Sequence, residues 1–354
     1  MAEMATKLKP LWTTQAEFAK LGWVHNLDHV RLLTNEHVAL YGRGSKSMTV
    51  SVRDGAIKAE LPLPFWTATQ KAASCASLLV TDEDFDLKRY NIEDGSESGS
   101  IRLPFVSLYP LSVCFGSSDA IAMVAGQVLV AKEAEEPTLQ NCIVRCDFDA
   151  GCCEPLDVSP PCDGSKLSRD VKIFAGLSDD TFLVSPLFGS NDIGGNDVIC
   201  PPGLWRIDSH GNVLNTYKDT ITTGVVSVTV IDAGRAIVLP YDAKGNDTTG
   251  IAHILDLDTG HLLETFSTLH PSTDGTGSTK CFAVFPNNHI AIGLPIGVVV
   301  LGDVPAGDEK RPITCFVKTD HAVENVVTCG PDGFTLLVHA MYLQAFRYTP
   351  HLPV

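Results

Sequence analysis

Ile251–Leu262 reads IAHILDLDTGHL, and the fold follows from that stretch. A short apolar strand runs into Asp256-Leu257-Asp258-Thr259-Gly260, and a second strand starts at His261. An acid followed by a glycine a few residues on is hairpin chemistry. The glycine takes the left-handed backbone that other residues resist, and the carboxylate accepts hydrogen bonds from turn amides. The device recurs at Asn91-Ile92-Glu93-Asp94-Gly95 and Asp147-Phe148-Asp149-Ala150-Gly151. Shorter copies stand at Val52-Arg53-Asp54-Gly55 and Ile207-Asp208-Ser209-His210-Gly211. An outer strand is expected after each turn, as at Ala56–Leu61, Val213–Tyr217 and His261–Phe266.

Upstream of each turn lies a second recurring element, two apolar strands joined by a short polar turn. Its copies are His29–Tyr41, Leu111–Ala125, Val171–Ser185, Val225–Leu239, Lys280–Leu294 and Asn325–His339, with a degraded copy at Thr67–Val80. Together the two elements make about seven units of four antiparallel strands, spaced about 40 to 60 residues apart. Four strands at such a period form the blade of a β-propeller. Helical periodicity is nearly absent, and only Gln15 to Leu21 reads as a short helix. We therefore expect an all-β chain folded as a single β-propeller, 1–354, with seven four-stranded blades over 25–354 and a lead-in over 1–24. The last unit lacks a fourth strand before the chain ends at Val354. Leu8–Thr13 is expected to supply it, so that the N-terminal strand closes the last blade and removes an open sheet edge.

Ile251–Leu262 and Gly203–Leu214, GLWRIDSHGNVL, resemble the third strand, turn and fourth strand of WD-repeat and quinoprotein-like propellers. The chain departs from the WD-repeat pattern in two respects. No Gly-His dipeptide opens the blades, and Trp-Asp never occurs, Trp205 being followed by Arg206.

Composition narrows the functional classes. Lys plus Arg number 26 against 42 Asp plus Glu, a formal net charge of −16. That balance argues against nucleic acid as a partner, since phosphate contacts need a cationic surface, and against a polybasic membrane anchor. No apolar run approaches the roughly 18 residues that span a bilayer, and no secretory signal is visible in Met1–Pro10. The 11 cysteines are irregularly spaced with no C-x-x-C pair, which excludes zinc spacing and fits a reducing, intracellular setting, the cytoplasm. Cys75, Cys114, Cys142, Cys281, Cys315 and Cys329 read as small apolar residues in strands. Nucleophile-elbow and phosphate-loop motifs are missing. His25, His29 and His37 have no fourth ligand and read as structural or surface residues. His289 and His339 read as residues inside strands.

Candidate binding residues follow from connection lengths. In an up-and-down blade with strands a to d, the b–c and d–a connections share one end and the a–b and c–d turns the other. The long connections, Ala131–Gln140, Val158–Arg169, Phe188–Gly203, Asp242–Gly250 and Leu269–Thr279, are all b–c or d–a. Long loops on a rigid scaffold are where recognition residues collect. Glu133, Glu135, Glu136, Asp192, Asn196, Asp197, Asp242, Asn246 and Asp247 would make that end acidic, which suits a basic protein partner. No cofactor is expected. The alternative, prompted by a resemblance to propeller lactonases, is a calcium-dependent hydrolase whose axial ion would be held by Asp28, Asp170, Glu324 and Asn325.

Overall fold

The computed structural model describes residues 10–14, 27–32, 36–42, 47–61, 70–71, 77–81, 85–91, 96–130, 138–156, 158, 171–186, 203–241, 250–268, 281–304, 310–340 and 342–350. Their strands form seven four-stranded antiparallel sheets. The first holds Leu27–Leu32, His37–Gly42, Ser47–Ser51 and Ile57–Leu61, and the second Gln70–Lys71, Ser77–Thr81, Asp86–Asn91 and Glu97–Arg102. The third holds Ser107–Phe115, Ile121–Val130, Thr138–Asp147 and Cys152–Leu156, and the fourth Val171–Gly176, Phe182–Pro186, Trp205–Ile207 and Val213–Thr216. Val225–Asp232, Arg235–Pro240, Ile251–Asp256 and Leu262–Ser267 make the fifth; Phe282–Val284, Ile290–Leu294, Gly297–Leu301 and Ile313–Lys318 make the sixth. The seventh takes Asn325–Cys329, Thr335–His339 and Leu343–Arg347 as strands a to c, and Pro10–Thr13 from the other end of the chain as strand d.

Strand position explains strand composition. The b strands Ile290–Leu294 and Thr335–His339 are buried along their whole length, so the first reads as a continuous apolar run and the second as an apolar centre between Thr335 and His339. The d strands Glu97–Arg102 and Leu262–Ser267 have an open edge, and only their fifth residues, Ile101 and Phe266, are buried. The hairpin turns form as their residues require. Gly55, Gly151, Gly211 and Gly260 stand at φ +73°, +66°, +87° and +74°. Asp147 Oδ1 accepts from the amides of Asp149 (3.1 Å) and Ala150 (2.9 Å). Asp256 Oδ1 accepts from those of Asp258 (3.0 Å) and Thr259 (2.7 Å).

The chain divides into two compact units. In one, the a strands of the sixth, seventh and first sheets pack in succession. Their core includes Phe285, Val300, Val338 and Phe346, then Val38, Val50 and Leu337. In the other, the a strands of the second, third, fourth and fifth sheets follow one another. Leu87, Phe115 and Val124, then Ile143, Phe182 and Trp205, then Leu183, Tyr217 and Leu255, fill the spaces between them.

The N-terminal strand sits where its sequence demanded, beginning at Pro10. Trp12 pairs with Ala345 and Thr13 with Gln344. Thr14 N donates to Leu343 O at 3.0 Å, and its hydroxyl accepts from Leu343 N at 3.1 Å. Trp12 reaches further, donating from Nε1 to Val52 O in the first sheet at 2.8 Å. Its ring covers Gly55 so closely that a Cβ there would lie 2.7 Å from it.

Three expectations need correction. The long connections are not all of one kind, because the sixth sheet joins strands c and d through 302–312, while only Pro295 and Ile296 separate its strands b and c. Gly297 makes that tight b–c hairpin possible: it stands at φ +147°, and a Cβ on it would meet Val317 O at 2.0 Å. The connection expected to extend to Gln140 ends earlier, since strand c of the third sheet begins at Thr138 and its backbone pairing with Ile121–Val130 continues to Val130. His289 lies just before its strand, which begins at Ile290. The helix expected at Gln15 to Leu21 lies outside the described residues.

Candidate partner-binding face

Within each compact unit the a–b and c–d turns are tied by bonds within and between sheets. Arg206, on strand c of the fourth sheet, donates to Thr181 Oγ1 (2.9 Å), Leu257 O (3.2 Å), Asp258 Oδ1 (2.9 Å) and Asp179 Oδ2 (2.5 Å). It thereby fastens its own a–b turn to the c–d turn of the fifth sheet. Tyr217 adds a buried hydroxyl bond to the same Leu257 carbonyl at 2.6 Å. Asp180 Oδ1 accepts from Ser117 N at 2.7 Å, linking fourth and third sheets. Arg89 donates to Asp119 O at 2.9 Å and lies over the Phe148 ring at 4.9 Å, linking second and third. In the seventh sheet Arg347 grips Asp332 with two nitrogens.

These bonds favour the charged carboxylates. Arg347 and the Phe334 amide bring Asp332 down to about 2. The Ala150 amide, outweighing a small desolvation cost, holds Asp147 below the usual carboxylate range, and the Thr259 amide does the same for Asp256. A good part of the acid in the sequence thus shapes turns.

For the b–c and d–a connections, the described residues show the stems. Ser185 Oγ donates to Gly203 O at 2.8 Å in a buried bond, which clamps the base of 187–202. Thr223 Oγ1 donates to Tyr241 O at 2.8 Å, and Tyr241 N to Gly224 O at 2.8 Å, fixing the start of 242–249. Thr268 N donates to Gly250 O at 2.8 Å, where 242–249 ends and 269–280 begins. Glu133, Glu135, Glu136, Asp192, Asn196, Asp197, Asp242, Asn246 and Asp247 lie on the connections themselves, outside the described residues.

Of the alternative calcium set, Asp170 also lies outside them. Asp28 is the second residue of strand a in the first sheet. Glu324 is exposed and donates its amide to His339 O at 2.9 Å, and Asn325 opens strand a of the seventh sheet opposite His339. Among the described residues no three His, Cys, Asp or Glu side chains come together as metal ligands.

Two features escaped the sequence reading. One is a polar cluster of His289, Arg311, Thr314 and Tyr348. His289 Nδ1 and Tyr348 Oη are 2.5 Å apart, Tyr348 Oη and Thr314 Oγ1 3.0 Å, and Arg311 donates to Gly302 O at 3.0 Å. Burial pulls the His289 pKa below its ordinary value, against the pull of Asp303. No spacing motif could have revealed it, because its members come from three strand ends far apart in sequence. The other is a set of exposed apolar residues on d strands, Leu214 (56% exposed), Leu262 and Leu263 (51%). Their apolar character was visible, but a lone strand does not show which of its residues are covered.

No protein-family model matches the chain, and no curated protein matches it by sequence. Solved structures do. The β-propeller domain of Cps50 (Swd1) from Myceliophthora thermophila aligns with 97% of this chain and 100% of its own at TM-score 0.66 and 11% identity. The WD40 β-propeller domain of Doa1 aligns with 98% of this chain and 96% of its own at TM-score 0.54 and 14% identity. At these identities the likeness speaks of architecture alone, and the architecture is that of a divergent WD-repeat-like β-propeller.

Proposed function

We propose that the chain is a non-catalytic scaffold for protein–protein interaction, acting inside the cell and presenting the end that carries its b–c and d–a connections. The observation that supports this reading is the contrast between the two ends. Turn acids and strand arginines at the a–b and c–d end are spent on bonds within and between sheets. The long b–c and d–a connections begin and end at hydrogen-bonded stems. Rigid stems beneath variable loops are how recognition surfaces are built. The carboxylates of Glu133, Glu135, Glu136, Asp192, Asp197, Asp242 and Asp247 give that end the sign that draws a basic protein surface, and Asn196 and Asn246 add amides able to hydrogen-bond it.

The test is neutralisation. Glu133→Gln, Glu135→Gln and Glu136→Gln together, set against Asp192→Asn with Asp197→Asn, should each weaken capture of the partner at low salt while leaving the thermal midpoint unchanged. Capture should also fall as salt rises. Undiminished capture by both variants would remove the acidic end from the account. Calcium should leave the melting temperature where it is; a rise of several degrees that EDTA reverses would favour the hydrolase alternative.

A further inference from the structure

Two cysteines face each other across the third sheet. Cys146 on strand c and Cys153 on strand d are direct partners in the ladder, between Arg145–Glu154 and Asp147–Cys152. They form a non-hydrogen-bonded pair. Pro155 stands opposite Val144 and has no N–H, so that pair cannot exchange both ladder bonds. Alternation along the ladder then makes Cys146–Cys153, two places on, a non-hydrogen-bonded pair as well. The closing pair of the equivalent fifth-sheet hairpin agrees: Asp256 N donates to His261 O at 2.9 Å, and Asp147–Cys152 occupies the same place around a turn of the same length. If Asp147–Cys152 is hydrogen-bonded, its neighbour is not.

In a non-hydrogen-bonded antiparallel pair the Cα atoms approach to about 4.5 Å. That lies within the roughly 4.4–6.8 Å span that a disulfide bridges. Partners directly opposite share a face, and both side chains belong to the apolar cluster between second and third sheets. Cys153 Sγ donates to Arg102 O of the second sheet at 3.3 Å. Among the described residues no other thiol competes from that face, since Cys142 is four residues along the strand from Cys146, about 13 Å away. Cys152 pairs with Asp147 on the other face and is exposed.

We propose that Cys146 and Cys153 form a reversible dithiol site that low-molecular-weight disulfides oxidise to a cross-strand disulfide. The less buried Cys153 gives up its proton, and its sulfur attacks one sulfur of the small disulfide, breaking that S–S bond and expelling one thiolate. Cys146, deprotonated in turn, attacks Cys153 in the mixed disulfide, forming the protein S–S bond and expelling the second thiolate. The two protein thiols lose two electrons, the small disulfide gains them, and the two protons end on the two released thiols. Burial pushes the pKa of both cysteines up, so the exchange should be slow at neutral pH and faster as pH rises. On oxidation Cys153 also loses the S–H that it offers to Arg102.

The test uses the full chain incubated with graded ratios of oxidised to reduced glutathione and trapped with an alkylating agent. Cleavage before Asp147 and Asp149 separates the two cysteines, so the disulfide should join the peptide ending at Cys146 to the peptide 149–156. Cys152→Ser should retain the link; Cys146→Ser and Cys153→Ser should lose it. Wild-type mapping tests the proposal even if a variant folds poorly. A chain that takes glutathione only on Cys152, a link that Cys152→Ser abolishes, or both peptides recovered fully alkylated at the most oxidising ratio would overturn it.

Discussion

Gly151 and Gly297 have the same lack of a side chain for different reasons. A Cβ on Gly151 would meet nothing within 4 Å, but its φ is +66°. Gly151→Ala should therefore cost only the left-handed backbone penalty, about 1 kcal/mol in urea denaturation. Gly297 combines φ +147° with a carbonyl 2.0 Å from where a Cβ would stand, and Gly297→Ala should cost more than about 3 kcal/mol or yield no folded protein. Equal effects of the two would contradict this reading of the b–c hairpin in the sixth sheet. Acid should act in two steps. The His289 pKa is lowered by burial, so its contribution holds above the unfolded value near 6.5 and is lost as pH falls below it. The turn aspartates are lowered too, so their contribution is full above about 4 and drains away toward the value of about 2 that Asp332 reaches. Thermal melts should fall modestly from pH 6.5 to 5, then steeply between 4 and 2. His289→Gln should shrink the upper step alone.

Among elements, the fourth sheet and the N-terminal strand carry the clearest consequences. Arg206 is mostly buried and serves four acceptors in two sheets. Both carboxylates it meets face solvent, so Arg206→Met should cost a modest 1–2 kcal/mol by about the usual worth of such bonds, measured as a loss in the denaturation midpoint. Trp12→Ala removes both the ring over Gly55 and the bond to Val52 O. A loss of about 2–3 kcal/mol is expected for a partly buried aromatic. No loss would mean that the N-terminal strand is dispensable. The turns were legible in sequence because their chemistry is local: Asp256 and Gly260 stand within one hairpin. The b–c hairpin of the sixth sheet was not, because Pro295 and Gly297 look like breaks in an apolar run, whereas they mark a two-residue hairpin whose need for glycine is set by Val317, twenty residues along the chain. Arg206 was equally hidden. Its position two residues before the turn acid Asp208 recurs as Arg145 before Asp147 and Arg89 before Asn91, a repeat signal that becomes readable once the partners are known.

For the molecule as a whole, about seven repeats in a chain of 354 residues correspond to seven four-stranded sheets, with the N-terminal strand completing the last. The fold was legible because blades repeat. A recognition surface does not repeat, and the acidic residues from Glu133 to Asp247 sit on connections whose lengths differ from sheet to sheet. Part of the net charge of −16 belongs to turn carboxylates that shape hairpins, and the loop carboxylates are the part we propose to meet a partner. The decisive measurement is quantitative affinity capture from native cells with three forms of the chain: wild type, a form with 131–137, 187–202 and 242–249 replaced by short Gly-Ser links, and a control with 305–309 so replaced. The account predicts that the first replacement lowers partner recovery at least about tenfold with the melting temperature preserved, while the control recovers as wild type does. Full recovery by the loop-replaced form, or loss in the control alone, would contradict it.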